Sequence, residues 1–352
     1  AFFAGTPHFH ERVIKSLRRD FQVGSEDKDD VLFCGQRARW IHRTDPKCKH
    51  VQVDQETKIE ELSEIQFDHS MKDHICCTAD LHRQFRSVLG QINWLQSRTQ
   101  FPACYAFSRC ASAAAGPTIG DVRAINKLVR KIRSEVVMLR FWPLKGTSLR
   151  FVGYPDASYR NNSDKSSQRG QAIFIAELRE KNKIDTRGSL IDYESTKIKR
   201  TTLSTTVAEL YAFMKCFGAS QFLRGLWMDM SGMAASLHMR TDANNLVTTA
   251  KTTHLPEQKE TVHMINQLRH ESCSGSIDDL AHVVSKDCLA DCLTKSSADN
   301  RPLIQSVETG ILPNVDKHPP FRELMQNKHK AYLSEDEVMP DLIAWIVHNI
   351  PH

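Results

Sequence analysis

The sequence predicts an α/β protein: a mainly helical N-terminal part with a small β element, followed by a unit of alternating strands and helices. Three observations predict it. From Leu149 onward, apolar runs of strand length alternate with polar turns and longer helical stripes. Before Leu149 the strongest periodicities are helical, and only two strand-like runs interrupt them. The chain of 352 residues, 40% of them hydrophobic, suits two or three domains with real cores.

In order, residues 8–21 set Phe9, Val13, Leu17 and Phe21 on one face of a helix, with Arg12, Lys15, Arg18 and Arg19 elsewhere. The polar GSEDKDD turn follows, and Asp29 and Asp30 belong to it as solvated acids. VLFCGQRARWI and HVQVDQ are strand-like, separated at Asp45-Pro46. Residues 57–78 are polar and aperiodic, a predicted loop. A helix spans 79–97, with Thr78 as its N-cap and Leu81, Phe85, Val88, Leu89, Ile92 and Leu95 as its stripe. Phe101 to Ala115 is a small-residue helix, and a third starts near Pro117. The third buries Val122, Ile125, Leu128, Val129, Ile132 and Val136 and turns Arg123, Lys127, Arg130 and Lys131 outward. Such a basic face is either solvated or tracks the phosphates of a nucleic acid. Lys145 to Ser148 marks a domain boundary.

LRFVGYPDAS, QAIFIAEL and GSLIDYES are three strands with short links, an antiparallel meander. A helix carries Leu203, Val207, Leu210, Met214 and Phe217, capped near Thr201 or Thr202, with Glu209 on the flank of its stripe. LHMRTD is a strand ending at Asp242. Residues 256–271 form a helix, LAHVVS is a strand, and KDCLADCLTKS is a helix carrying Asp291. The tail from Arg301 is proline-punctuated and contains two amphipathic pieces, FRELMQNKHKAYL and MPDLIAWIVHNI.

The totals limit function. A net charge of +5 permits a polyanionic partner. No apolar run approaches the ~20 residues of a membrane span, so no membrane role is expected. Ten cysteines without a framework pattern read as reduced thiols of an intracellular protein. His74, Cys76 and Cys77, and likewise His282, Cys288 and Cys292, lack the paired spacing of structural zinc sites. The opening AFFAGTPHF has neither Met nor a signal-peptide layout and reads as the interior of a longer protein.

Asp156, Glu209, Asp242 and Asp291 fall on a strand end, a helix, a strand end and a helix. Hard oxygen ligands converging from separate elements suit Mg²⁺. Two ions so held can clamp the attacking and leaving oxygens of a phosphoryl displacement.

The wording around these acids goes further. VGYPDAS, LSTTVAELYA, RTDANNLV and LADCLTK match, in order, the VGYSDADWA-, LSTAEAEY-, CDNQSA- and LADILTK-like motifs of the ribonuclease H domain of copia-type LTR retrotransposon polyproteins. Residues 151–297 resemble that domain, and the region before them resembles the thumb and connection of the reverse transcriptase. The resemblance implies a ribonuclease H-like mixed five-stranded sheet with flanking helices, preceded by a mainly helical connection region. It implies a reverse-transcriptase remnant at 1–148, the ribonuclease H-like domain at 149–298 and a helical tail at 299–352. It makes Asp156, Glu209, Asp242 and Asp291 the metal-binding catalytic acids, with two Mg²⁺ or Mn²⁺ as cofactors. The reaction would be hydrolysis of the RNA strand of an RNA–DNA hybrid.

Arg123, Lys127, Arg130, Lys131, Lys145 and Arg150 would contact the nucleic acid. The polymerase YxDD hairpin is missing, so no polymerisation is expected. Partners would be the hybrid and the rest of the Pol polyprotein, in a cytoplasmic virus-like particle or the nucleus. The chain departs from the family pattern at Pro155, at Ala-Ser-Tyr in place of Ala-Asp-Trp, at SSQRG, and in having Lys286 and no histidine just before the last acid. Those departures support the alternative, an inactive remnant that binds nucleic acid as a scaffold.

Overall fold

The computed structural model describes residues 7–22, 27, 29–42, 44–45, 48–144, 149–177, 187–251 and 259–313. Lys145, the predicted boundary at 145–148 and both amphipathic tail pieces lie outside the described residues. The N-terminal elements are α1 (Pro7–Asp20), β1 (Asp30–Phe33), β2 (Gln36–Ile41), β3 (His50–Asp54), α2 (Glu56–Glu60), α3 (Ala79–Gln96), α4 (Cys104–Ser112), α5 (Ile119–Ser134) and β4 (Leu139–Phe141). Then come β5 (Leu149–Ser158), β6 (Gln168–Glu177), β7 (Gly188–Lys197), α6 (Thr205–Ser231), β8 (Ala235–Thr241), α7 (Asn244–Lys251), α8 (Lys259–Ser274), β9 (Asp279–His282) and α9 (Arg301–Thr309).

In the N-terminal part, the single run VLFCGQRARWI is two strands. Cys34 and Gly35 both take positive φ, 51° and 72°, which matches the twist of a two-residue hairpin turn. Asp30 opens β1 and pairs across the hairpin with Arg37 at 2.6 Å. β1 to β4 form one antiparallel sheet in chain order. Thr78 caps α3 by accepting from the Leu81 N–H, as its position predicts. Thr118 and Asp121 form a reciprocal capping box on α5. The two helices bury Phe85, Val88, Ile92, Val122, Ile125 and Val129 against one another. Val136 lies past the end of α5 and is exposed.

The C-terminal part is a mixed five-stranded sheet of order β7-β6-β5-β8-β9. β5, β6 and β7 are the expected antiparallel meander, and β8 and β9 add in parallel. One face packs on α6, α7 and α8 through Phe151, Ile173, Leu210, Phe213, Leu246 and Leu268. Helix α7 was not visible in the sequence pattern. The cap of α6 is Ser204, accepting from the Val207 N–H, rather than Thr201 or Thr202. Leu203 consequently stands before the helix and is exposed.

The other face packs on the N-terminal part. Phe101, Cys104, Val137 and Leu139 share one core with Val152, Tyr154, Phe174 and Leu190. Helix α9 joins the same core through Leu303 and Val307, and its carbonyls are tied to Arg140 and Trp142 around β4.

Candidate metal centre

The site begins where two parallel strands part. β5 and β8 are paired from Leu149↔Ala235 to Gly153↔Met239 and no further. Beyond Gly153, β5 continues along β6 alone, and Asp156 sits opposite Gly170. Pro155 is tolerated in this central strand because the β8 ladder has already ended beside it, so the missing N–H costs no bond on that side. β8 ends at Thr241, and Asp242 follows at once. Open α/β sheets offer their binding crevice outside such carboxyl ends.

Helix α6 reaches the opening because Gly153 lets it approach closely. A Cβ there would stand 2.9 Å from Ser220 Oγ and 3.0 Å from Cys216 Sγ. Glu209 lies between the buried Ala208 and Leu210, and its carboxylate accepts from the backbone N–H of Ala157.

Asp291 arrives differently from prediction. KDCLADCLTKS is not an α-helix: Ser285–Asp287 and Asp291–Leu293 are single 3₁₀ turns. Within the stretch, the Leu293 and Thr294 N–H groups bond back three residues, to Ala290 and Asp291, and the sheet takes the last carbonyls. Ser195 Oγ donates to the Leu293 carbonyl, and Ser158 Oγ to the Thr294 carbonyl at 2.9 Å. Gly170 gives the turn room, since a Cβ on it would lie 2.8 Å from Thr294 Cγ2 and 2.9 Å from Leu293 Cβ.

These elements bring the acids into one electrostatic unit. Burial pushes the Asp156 carboxyl well above the usual range; Lys295 and Thr294 oppose this, while Asp242 and Asp291 add to it. Glu209 is raised further by burial, then by Asp156 and Asp242. Asp156 is only 1% exposed, whereas Asp242 and Asp291 stand half-buried at the rim. Oxygens of Asp156 and Asp242 and the Cys288 sulfur all lie within 4.8 Å of one another.

Four neighbours escaped the sequence reading as site residues. Thr294 Oγ1 donates to Asp156, and Ser285 Oγ donates to Asp242 at 2.9 Å. Lys295 is ion-paired to Asp291 and stands 4.0 Å from Asp156 Oδ2. Cys288 belongs with the carboxylates, not with His282 and Cys292. Thr294 and Lys295 complete the LADCLTK string, so the motif already carried them.

The predicted phosphate-contacting residues are dispersed. Arg123 is ion-paired with Asp73, donates to the carbonyls of His69 (2.9 Å) and Met71 (2.8 Å), and lies over the Phe67 ring. Arg130 is ion-paired with Glu64, and Lys131 stands 4.0 Å from Glu135. Lys127 is exposed. Arg150 is largely buried on β5; burial and the adjacent Arg240 lower its pKa to about 10.

The donor chemistry fits a divalent cation. Carboxylate oxygens are hard ligands, and like charges gathered in a partly dry cleft are relieved by positive charge. Lys295 is the one cation this site holds among the described residues.

No protein-family model matches the chain, and no curated protein matches it. Among solved structures, LC11 ribonuclease H1 in complex with an RNA/DNA hybrid shares 17% identity, over 41% of this chain and 94% of its own, with a TM-score of 0.30. Ribonuclease H1 from Halobacterium salinarum NRC-1 shares 14%, over 45% of this chain and 98% of its own, with a TM-score of 0.29. A foamy viral protease-reverse transcriptase in complex with dsDNA shares 13%, over 85% of this chain and 53% of its own, with a TM-score of 0.42. The α/β arrangement with a five-stranded mixed sheet and flanking helices rests on this chain's own strand pairing, and the chemistry on its residues.

Proposed function

We propose that the chain is a divalent-metal-dependent nuclease of the ribonuclease H kind, of copia-type retrotransposon origin, hydrolysing the RNA strand of RNA–DNA hybrids. The observation that carries this reading is the gathering of Asp156, Glu209, Asp242 and Asp291 at the splayed ends of β5 and β8. Nothing in folding rewards such a cluster, because burial and mutual repulsion both oppose it. The choice of substrate rests on the ordered VGYPDAS, LSTTVAELYA, RTDANNLV and LADCLTK strings.

In this reading Asp156 and Asp242 hold the ion, or the first of two, with Glu209 and Asp291 completing the set. Two Mg²⁺ ions, or Mn²⁺ in their place, would activate water and neutralise charge on the leaving oxygen. The protein's own residues supply orientation. Thr294 fixes the Asp156 carboxylate and Ser285 that of Asp242, so both oxygens are preset. Lys127 on α5 would meet backbone phosphates, and the hybrid's 2′-hydroxyls would distinguish RNA from DNA. An intracellular setting, in a cytoplasmic particle or the nucleus, is the corresponding proposal for location.

A second reading is a nucleic-acid-binding remnant without turnover. Lys295 favours it, because its ammonium is ion-paired with Asp291 and so supplies positive charge to the site from the chain itself. A labelled RNA–DNA hybrid incubated with the chain and Mg²⁺ or Mn²⁺, beside Asp156→Asn, separates the two. Cleavage by the parent chain alone is the expected result. Hybrid bound but left intact by the parent chain sinks the nuclease reading.

A further inference from the structure

Cys288 is out of place as a core thiol. A buried cysteine ordinarily acts as a small hydrophobe. Cys288 is 4% exposed and does touch the apolar core beside Leu289 and Ala290. Yet its sulfur reaches the Asp156 and Asp242 oxygens, all three within 4.8 Å, and its thiol donates to the Pro155 carbonyl at 3.6 Å. Burial and the two carboxylates hold that thiol protonated, well above its ordinary pKa. A divalent cation between the three donors reverses that electrostatic balance.

We propose that Asp156, Asp242 and Cys288 form a site for a thiophilic divalent cation of the Zn²⁺ and Cd²⁺ class, which occupies the nuclease's metal position and keeps Mg²⁺ out. Thiolate is a soft ligand that favours Zn²⁺-class ions, whereas Mg²⁺ takes oxygen and water. Bonds of about 2.0 Å to oxygen and 2.3 Å to sulfur put tetrahedral donors about 3.3–3.7 Å apart. Closing from 4.8 Å needs side-chain movement of about 1 Å, not a new backbone. Asp242 at the half-buried rim gives the ion an entry path. Thr294 and Ser285 already hold the two carboxylates from outside the donor set, as outer partners of a metal site do. Binding releases the thiol proton to solvent, one per ion, as the S–H bond is exchanged for a sulfur–metal bond.

The inference rests on the nuclease reading only in setting a divalent ion between Asp156 and Asp242. The test is titration of the whole chain with Cd²⁺ in excess Mg²⁺, under a non-thiol reductant, following the ultraviolet sulfur-to-cadmium charge-transfer band. The first equivalent should produce the band in the parent chain and not in Cys288→Ser. Asp242→Asn should weaken that first equivalent by at least the roughly tenfold that an outer partner is worth. A first-equivalent band that persists in Cys288→Ser overturns the proposal, because another of the ten cysteines is then the ligand. If circular dichroism shows that Cys288→Ser fails to fold, unchanged affinity in Asp242→Asn overturns it instead. A chain that cuts hybrid with Mg²⁺ but lacks the Cys288-dependent band defeats this inference alone. One that shows the band with Cd²⁺ but, stripped of metal by a chelator and given Mg²⁺ alone, binds hybrid uncut defeats the nuclease reading alone.

Discussion

The outer face of α5 and the mouth between β5 and β8 are both charged patches, and folding treats them in opposite ways. On α5, Arg123 receives Asp73, two carbonyls and an aromatic ring, and Arg130 receives Glu64. At the mouth, four carboxylates are drawn together, and Lys295 is the one cation beside them among the described residues. Charge neutralised within the fold does structural work: Arg123 fastens the 67–73 segment to α5. Charge left in excess is available to something outside the chain. The contrast separates the two patches where residue type and spacing alone could not.

The largest effect that would sharpen this contrast is at Asp156. Asp156→Asn should lower hybrid cleavage by about 10²–10³-fold or more, the scale of losing one preorganised electrostatic contact. The same variant should melt higher than the parent in the absence of divalent ions. About 1 kcal/mol of relieved repulsion corresponds to roughly 2–4 °C for a domain of 150–250 residues. An acid whose removal abolishes cleavage but also destabilises the metal-free fold would break the comparison.

Next in size is Gly170→Val. The new side chain meets Thr294, Leu293 and the Ala290 carbonyl, and it must push the Asp291 turn away from Asp156. A displacement near 1 Å costs roughly 10²-fold in rate, so single-turnover cleavage should fall on that scale with the melting temperature only modestly lowered.

Smaller, but diagnostic in sign, is the pH dependence of stability without metal. Asp156 and Glu209 have raised pKa values in the folded state, through burial first. The folded chain therefore keeps protons that the unfolded chain releases near pH 4. Their contribution to stability is greatest below that pH and declines as pH rises toward the raised values. Calorimetry across this window should show a shallower decline for Asp156→Asn, and for the parent chain in Mg²⁺. A steeper decline in the variant would mean that the carboxylates are mutually satisfied after all.

The smallest expected effect lies on the other patch. Arg123→Ala should cost about 1 kcal/mol in chemical denaturation, the worth of a partly exposed ion pair with supporting hydrogen bonds. Its cleavage rate at saturating hybrid should be unchanged. A large loss of hybrid affinity at constant stability would return Arg123 to the phosphate-contacting set.

Much of this was legible in the sequence, for local reasons. The meander, the α3 cap and the α6 stripe announce themselves through alternation and turn residues within a few positions. What stayed hidden depends on distant partners. The LADCLTK stretch has helical composition, yet it is a 3₁₀ turn whose last carbonyls accept from Ser158 and Ser195, far earlier in the chain. Cys288 was grouped with its sequence neighbours His282 and Cys292, while its sulfur faces residues brought in by β5 and β8. Arg123 and Arg130 look like a free basic face until an aperiodic loop folds back with Asp73 and Glu64.

The long reach of the site also bears on how the molecule assembles. Thr294 and Asp156, bonded in the native state, are 138 positions apart along the chain. Contacts of that separation form slowly, because the intervening chain must be ordered before they are rewarded. The carboxylates therefore meet only as the sheet closes, and their repulsion is a barrier encountered at the end of the pathway. A divalent ion can grip the site only after that closure. It should lengthen the lifetime of the folded state and leave the rate of reaching it almost untouched.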